Sequence, residues 1–170
     1  REAAPEAGRR VAAVSADGAA LRQLRRRYRG DRLITLGAAI TSDRDAAALA
    51  ERLRALDVSI DGVVASIVGE HDCGRLLDQA ADVLRRTLDE DLMPHLFAAR
   101  HLFPLLPQDG SHGYVLIGGP GGDYPWAGYG HCSIAAAALQ MMARVLHDEA
   151  GRHGLRVHLL NIDAPVRTAG

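Results

Sequence analysis

Four side chains in this sequence pair useful chemistry with a suggestive setting: His71, Cys73, His131 and Cys132. Imidazole nitrogens and thiolates are good zinc ligands. His71 and Cys73 follow an apolar run over 60–68, while His131 and Cys132 open a long helical stretch. Both pairs therefore leave the carboxyl ends of strands, where open α/β sheets bind ligands. The spacings match no zinc motif, and adjacent His131 and Cys132 are awkwardly placed to aim at one ion, so no metal is expected. Cys132, near a helix N-terminus, is a candidate reactive thiol of lowered pKa. Two cysteines make no disulfide framework and read as reduced thiols.

The elements that must hold these groups alternate. Apolar runs at Val11–Ser15, Leu33–Ile40, Ile60–Val68, Gly113–Ile117 and Leu155–Ile162 read as strands, the third buried on both sides. Between them lie helical patterns at Ala19–Tyr28, at Asp45–Leu56 with Leu49, Leu53 and Leu56 on one face, and at Arg75–Leu106, interrupted at Pro94. The last helix opens near Tyr129. Thr41-Ser42-Asp43 reads as a turn with a helix cap. A β-α-β-α-β-α-β-α-β order predicts a Rossmann-like, doubly wound parallel sheet. Residues 1–10 read as a flexible tail and 11–170 as one domain.

Tyr129, the small residues Ala135–Ala138, Gly-Leu-Arg-Val-His at 154–158 and Pro165-Val166-Arg167-Thr168 resemble the C-terminal half of a short-chain dehydrogenase/reductase. The resemblance begins at what looks like that family's second strand, Val11–Ser15. The family's central first strand and its Thr-Gly-x-x-x-Gly-x-Gly turn have no counterpart in the sequence, so an N-terminal piece is expected to be missing. Carried over residue by residue, the family's Tyr-x-x-x-Lys falls on Tyr129 and Ser133. Gly118 or Gly119 stands where the catalytic serine should close a strand, and Asp91 where the helix asparagine should be, read as an acid on a helix surface. A tyrosine unaided by the lysine keeps a pKa near about 10 and is a poor acid or base at neutral pH.

If a cofactor binds, the resemblance assigns it Ser66, Gly69, Tyr129, Pro165 and Thr168. Ser15-Ala16 and Ala39 replace the acids that would line the ribose and adenine pockets, and Arg22 or Arg25 sits deep in a helix for a 2′-phosphate. Reading Gly118–Gly122 as the dinucleotide loop with Asp163 as the ribose acid fails, because the spacing is too long and Pro120 spoils the turn. The expectation is therefore a degenerate member, a structural or regulatory subunit or subdomain without cofactor, similar to the structural subdomain of a reductase in a modular synthase. The alternative is an NAD(P)-dependent oxidoreductase acting on a carbonyl or hydroxyl substrate, with NADP or NAD and an atypical site around Tyr129. A small-ligand module using the crevice above Gly118–Gly122 is a third class. The resemblance further implies homo- or hetero-oligomers through the helices around 88–106 and 129–150.

Composition sets the remaining bounds. The 170 residues carry a formal charge of −1, and all 20 basic residues are Arg. Nothing supplies the basic field that nucleic acid requires, and no lysine is present to act as a base or Schiff-base former. No apolar run is long enough to span a membrane, and a cytoplasmic location is expected.

Overall fold

The computed structural model describes residues 10–162. Asp163, Pro165 and Thr168 lie outside the described residues, as does most of the 1–10 tail. The chain divides into two compact units, one containing the first 39 residues and one running from Ile40 to Ala164.

The first unit is a βαβ: β1 (Val11–Ser15), α1 (Gly18–Arg27) and β2 (Leu33–Gly37), with β1 and β2 parallel and Val11 opposite Leu33. Asp17 caps α1 by accepting from the N–H groups of Ala19 and Ala20 at 2.7 and 3.1 Å. Only Leu21 of α1 is buried, so the arginines at 25–27 lie on a wet face, where they suit the helix C-terminus electrostatically.

The second unit contains α2 (Asp43–Arg54), β3 (Gly62–Ala65), α3 (Asp82–Asp91), α4 (Met93–Leu102), a 3₁₀ turn at Phe103–Leu105, β4 (Gly113–Gly118), α5 (Gly130–Gly151) and β5 (Arg156–Asn161). Its strands are parallel in the order β3-β4-β5, with Gly113 opposite both Gly62 and Arg156. Central β4 buries Tyr114 and Leu116 completely. The alanine faces of α2 (Ala46, Ala50) and α4 (Ala98, Ala99) let those helices approach closely, and α5 lays Ala135, Leu139, Ala143 and Leu146 inward.

β1 and β3 each have a partner on one side only among the described strands, which form two sheets. All of the pairing within them is parallel, consistent with the expected doubly wound fold without its first strand. The run at 60–68 contributes only four residues to β3, and Val64 and Val68 are 67% and 77% exposed. A strand with one open edge has too few neighbours to be buried on both faces, which corrects that expectation.

Helix limits follow local chemistry. Ser42 caps α2 by accepting the Asp45 N–H at 3.2 Å while its own hydroxyl donates to the Asp45 carboxylate at 2.8 Å; the Thr41 hydroxyl, donating to the same carboxylate at 2.7 Å, and then Ser42 hold that carboxyl below the usual range. Ser42→Ala should therefore cost about 1 kcal/mol, read as a lower urea midpoint at unchanged slope. The helix expected over 75–106 starts later, at Asp82, and breaks at Leu92, because Pro94 in the first turn of α4 has no N–H with which to continue α3.

His95 of α4 is fully buried and donates from Nε2 to the Ile67 carbonyl at 3.1 Å. Burial pushes this imidazole below its ordinary value, while the Ile67 carbonyl and the Asp91 charge oppose the shift. The unfolded chain thus takes up a proton more readily than the native one. The stability contributed by a neutral His95 is complete above about pH 6.5 and is lost as the pH falls from there through the folded pKa. Thermal melts should show this decline, and His95→Gln, which keeps a donor but does not titrate, should remove it.

Candidate functional site

The site is assembled where the segment after β3 meets the ends of α3 and α5. Leaving β3, the chain passes Ser66, which is exposed, and reaches Gly69, whose N–H donates to Asp91 Oδ1 at 2.7 Å. A Cβ on Gly69 would stand 2.7 Å from Glu90 Oε2 and 3.0 Å from Glu90 Cβ, so the segment lies close against α3 here. Two residues on, His71 Nε2 meets both oxygens of Asp91 at 2.8 and 2.9 Å, and Nδ1 faces Glu90 Oε2 at 3.8 Å. Gly74 then donates its N–H to the Gly128 carbonyl at 2.8 Å, forming an isolated parallel bridge with Tyr129. That bridge pins the segment to the start of α5.

Asp91 is thus a part-buried acceptor, its side chain only 13% exposed, rather than the acid on a helix surface that the sequence predicts. Its single hydrogen-bonded position gathers the strand exit and the α3 end. Tyr129 is the N-cap residue of α5; its ring lies 6.5 Å from that of Trp126 and 6.3 Å from that of His131. His131 is 1% exposed, and neither ring nitrogen has a hydrogen-bond partner. It stands edge to face with His71, their ring centroids 5.8 Å apart. Cys132 lies beside them: one ligand atom each from His71, His131 and Cys132 fall within 4.8 Å of one another. Burial, and then the Asp91 charge, push the Cys132 thiol up. That direction is opposite to the lowering expected at a helix N-terminus, because desolvation and a carboxylate outweigh it.

At the next position, Ser133 Oγ accepts the Trp126 N–H at 3.0 Å. It packs against Gly121, on which a Cβ would stand 3.4 Å from both Ser133 Cα and Oγ. Across the strand end, a Cβ on Gly118 would stand 2.6 Å from Asn161 Oδ1, whereas one on Gly119 meets nothing within 4 Å.

A sequence profile described as "Enoyl-(Acyl carrier protein) reductase" matches residues 2–169. The chain belongs to the short-chain dehydrogenase/reductase family. No curated protein matches it in sequence. Among solved structures of this family, a short-chain dehydrogenase from Streptomyces avermitilis is similar at 24% identity and TM-score 0.80, covering 95% of this chain and 59% of that one. A ketone-specific alcohol dehydrogenase from Comamonas testosteroni matches at 22% and 0.74, over 91% of this chain and 62% of its own. An NADPH-bound short-chain oxidoreductase from Pseudomonas aeruginosa PAO1, described as containing an atypical catalytic center, matches at 20% and 0.78, over 88% and 60%. At these identities the likeness is one of fold, and this chain spans about three fifths of the length of the relatives.

In this family a lysine one turn after the tyrosine holds the nicotinamide ribose. At the position the resemblance gives that lysine, Ser133 carries a short neutral hydroxyl that accepts the Trp126 N–H and packs on Gly121, which does not reproduce the grip of an ammonium on a ribose. Tyr129, Ser133 and Asp91 are brought to one region, with Asp91 joined to Gly69 through a hydrogen bond. The sequence reading missed the His71–Asp91 pair: the residues are 20 apart in sequence, and only the packing of α3 under the strand exit joins them. Among the described residues no helix is long and apolar enough to cross a membrane.

Proposed function

We propose that this chain is a catalytically degenerate short-chain dehydrogenase/reductase, a structural or regulatory subunit or subdomain that works through its surfaces. The observation carrying this reading is Ser133. At the position of the family's lysine it is 8% exposed and hydrogen-bonded to the Trp126 backbone, so nothing there aids the Tyr129 phenol or grips a ribose. Calorimetry with NADPH and NADH tests it. No binding at millimolar cofactor is expected, and one equivalent bound would overturn the reading.

The surfaces are the two long helical segments. Ile134, Met141 and Val145 are exposed by 40, 55 and 46%, and their spacing of seven and four residues draws one apolar stripe along α5. Leu96 is likewise exposed on α4. The stripe supports homo- or hetero-oligomers through the helices around 88–106 and 129–150. Met141→Glu should weaken self-association at least about tenfold by analytical ultracentrifugation, since it buries a charge in an apolar contact.

A second reading is an NAD(P)-dependent oxidoreductase of a carbonyl or hydroxyl substrate, with NADP or NAD, centred on Tyr129. It is favoured by the imidazole of His131 beside Tyr129 and the His71–Asp91 pair at the family's asparagine position. The NADPH-bound relative described as having an atypical catalytic center lends it support. Cofactor oxidation over a panel of carbonyl compounds, abolished in Tyr129→Phe, would establish this reading; rates equal to those of the variant would dismiss it.

A further inference from the structure

Among the described residues, His131 has both ring nitrogens buried and unpartnered, and it calls for an explanation. A polar ring taken out of water without compensation is costly, and such groups normally find a partner in protein, water or an ion. What faces it is another imidazole and a thiol, His71 and Cys132, each offering an atom within 4.8 Å of the others. Ligand atoms around a tetrahedral zinc stand about 3.4–3.6 Å apart, given metal–nitrogen bonds of about 2.0–2.1 Å and a metal–sulfur bond of about 2.3 Å. Contraction by about 1 Å would close the cluster on an ion, within reach of side-chain rotation.

We propose that His71, His131 and Cys132 bind a borderline-soft divalent transition metal of the zinc class, with Asp91 as the residue that positions His71. Nitrogen and sulfur donors select such an ion over magnesium or calcium, which prefer oxygen. Three protein ligands leave a fourth position for water or an exogenous group. Asp91 accepts from His71 Nε2 through both oxygens and is itself fixed by the Gly69 N–H, the arrangement by which a carboxylate holds a metal-binding imidazole in one orientation. The Gly74–Gly128 hydrogen bond already holds the two segments together, so little chain need be ordered on binding. Adjacency of His131 and Cys132, an apparent obstacle in the sequence, is met by the first turn of α5, from which both side chains reach the same cluster.

The test uses the whole chain, freed of metal by chelator and titrated with Zn²⁺ and with Co²⁺. One equivalent should bind, Co²⁺ giving tetrahedral visible absorption and a thiolate-to-metal charge-transfer band in the near ultraviolet. Cys132→Ser, nearly isosteric, should remove that band, while Cys73→Ser should keep it, because the exposed Cys73 sulfur lies against Gly128. His131→Gln should weaken binding at least about 100-fold, and Asp91→Asn, with the ligands intact, about 10–100-fold. Far-ultraviolet circular dichroism checks that each variant is folded, and Cys132→Ser decides the matter if His131→Gln is not. The proposal is overturned if Co²⁺ gives no thiolate band while Cys132 stays titratable as a free thiol. It also fails if binding survives in both Cys132→Ser and His131→Gln, or if the band depends on Cys73; water alone would then satisfy His131.

Discussion

Restoring the family's lysine, Ser133→Lys, is expected to lower stability by about 3 kcal/mol and to yield no cofactor binding. Three costs combine. The Trp126 N–H loses its acceptor, worth about 1 kcal/mol. The longer chain must fit where Ser133 already packs on Gly121, and overpacking costs about 1–3 kcal/mol. An ammonium is also placed at a buried position without a dedicated partner. For a domain of this size the melting temperature should fall by roughly 6–12 °C. The matching serine behaves differently: Gly119→Ser enters open space and should change stability by less than about 0.5 kcal/mol, whereas Gly118→Ser must displace Asn161. A Ser133→Lys variant that kept its melting temperature and bound NADPH stoichiometrically would show that the cofactor site is one substitution from binding, and the degenerate reading would be withdrawn.

Gly154→Ala should be about as damaging, at about 3 kcal/mol, for a reason unconnected with chemistry. Gly154 turns the chain from α5 into β5 with φ +73°, a left-handed conformation that costs an L-residue about 1–2 kcal/mol. Its missing Cβ would also stand 2.7 Å from the Gln108 carbonyl oxygen, and the Gly154 carbonyl accepts the Gly110 N–H at 2.7 Å. Backbone on both sides prevents a retreat. Gly110→Ala is the control: its φ is +78°, but a Cβ there meets nothing within 4 Å. Urea unfolding of the two variants separates strain from collision, and equal losses would mean that the Gln108 contact yields freely.

Much of the scaffold was legible because local signals agreed. β1 falls where the apolar run Val11–Ser15 lies, and the end strands differ from expectation by a residue at their limits. Ser42 reads as a cap from its type and place alone. Where expectation and structure part, the missing information is tertiary. Leu76 and Leu77 extend an apolar helical pattern, but Leu77 is 89% exposed; the segment is claimed by the Gly74 bridge and a turn from Arg75 to Asp78 before α3 begins. Val64 and Val68 look like core because they are valines, yet burial depends on neighbours that β3 lacks on its open side. The site divides in the same way. Residue identity alone raised the expectation that Ser133, and Gly118 or Gly119, stand where the family has its lysine and serine. It could not show that Asp91 would leave the helix surface to hold His71, or that 60 residues of chain would return His131 to face it. Those are consequences of β3 pairing with β4, which brings the segment after one strand beside the helix after the other.

The isolated bridge between Gly74 and Tyr129 also gives the cluster a clock. A single amide, that of Gly74, is donated across to Gly128, and its exchange with deuterium requires that bond to open. The protection of this one proton, set against protection deep within α5, measures how often the segment lifts away and admits solvent to His131. If ligand-free protein exchanges Gly74 quickly while α5 stays protected, the cluster breathes independently of the helix behind it. If the two exchange together, access to the buried imidazole waits on unfolding of the helix that carries it.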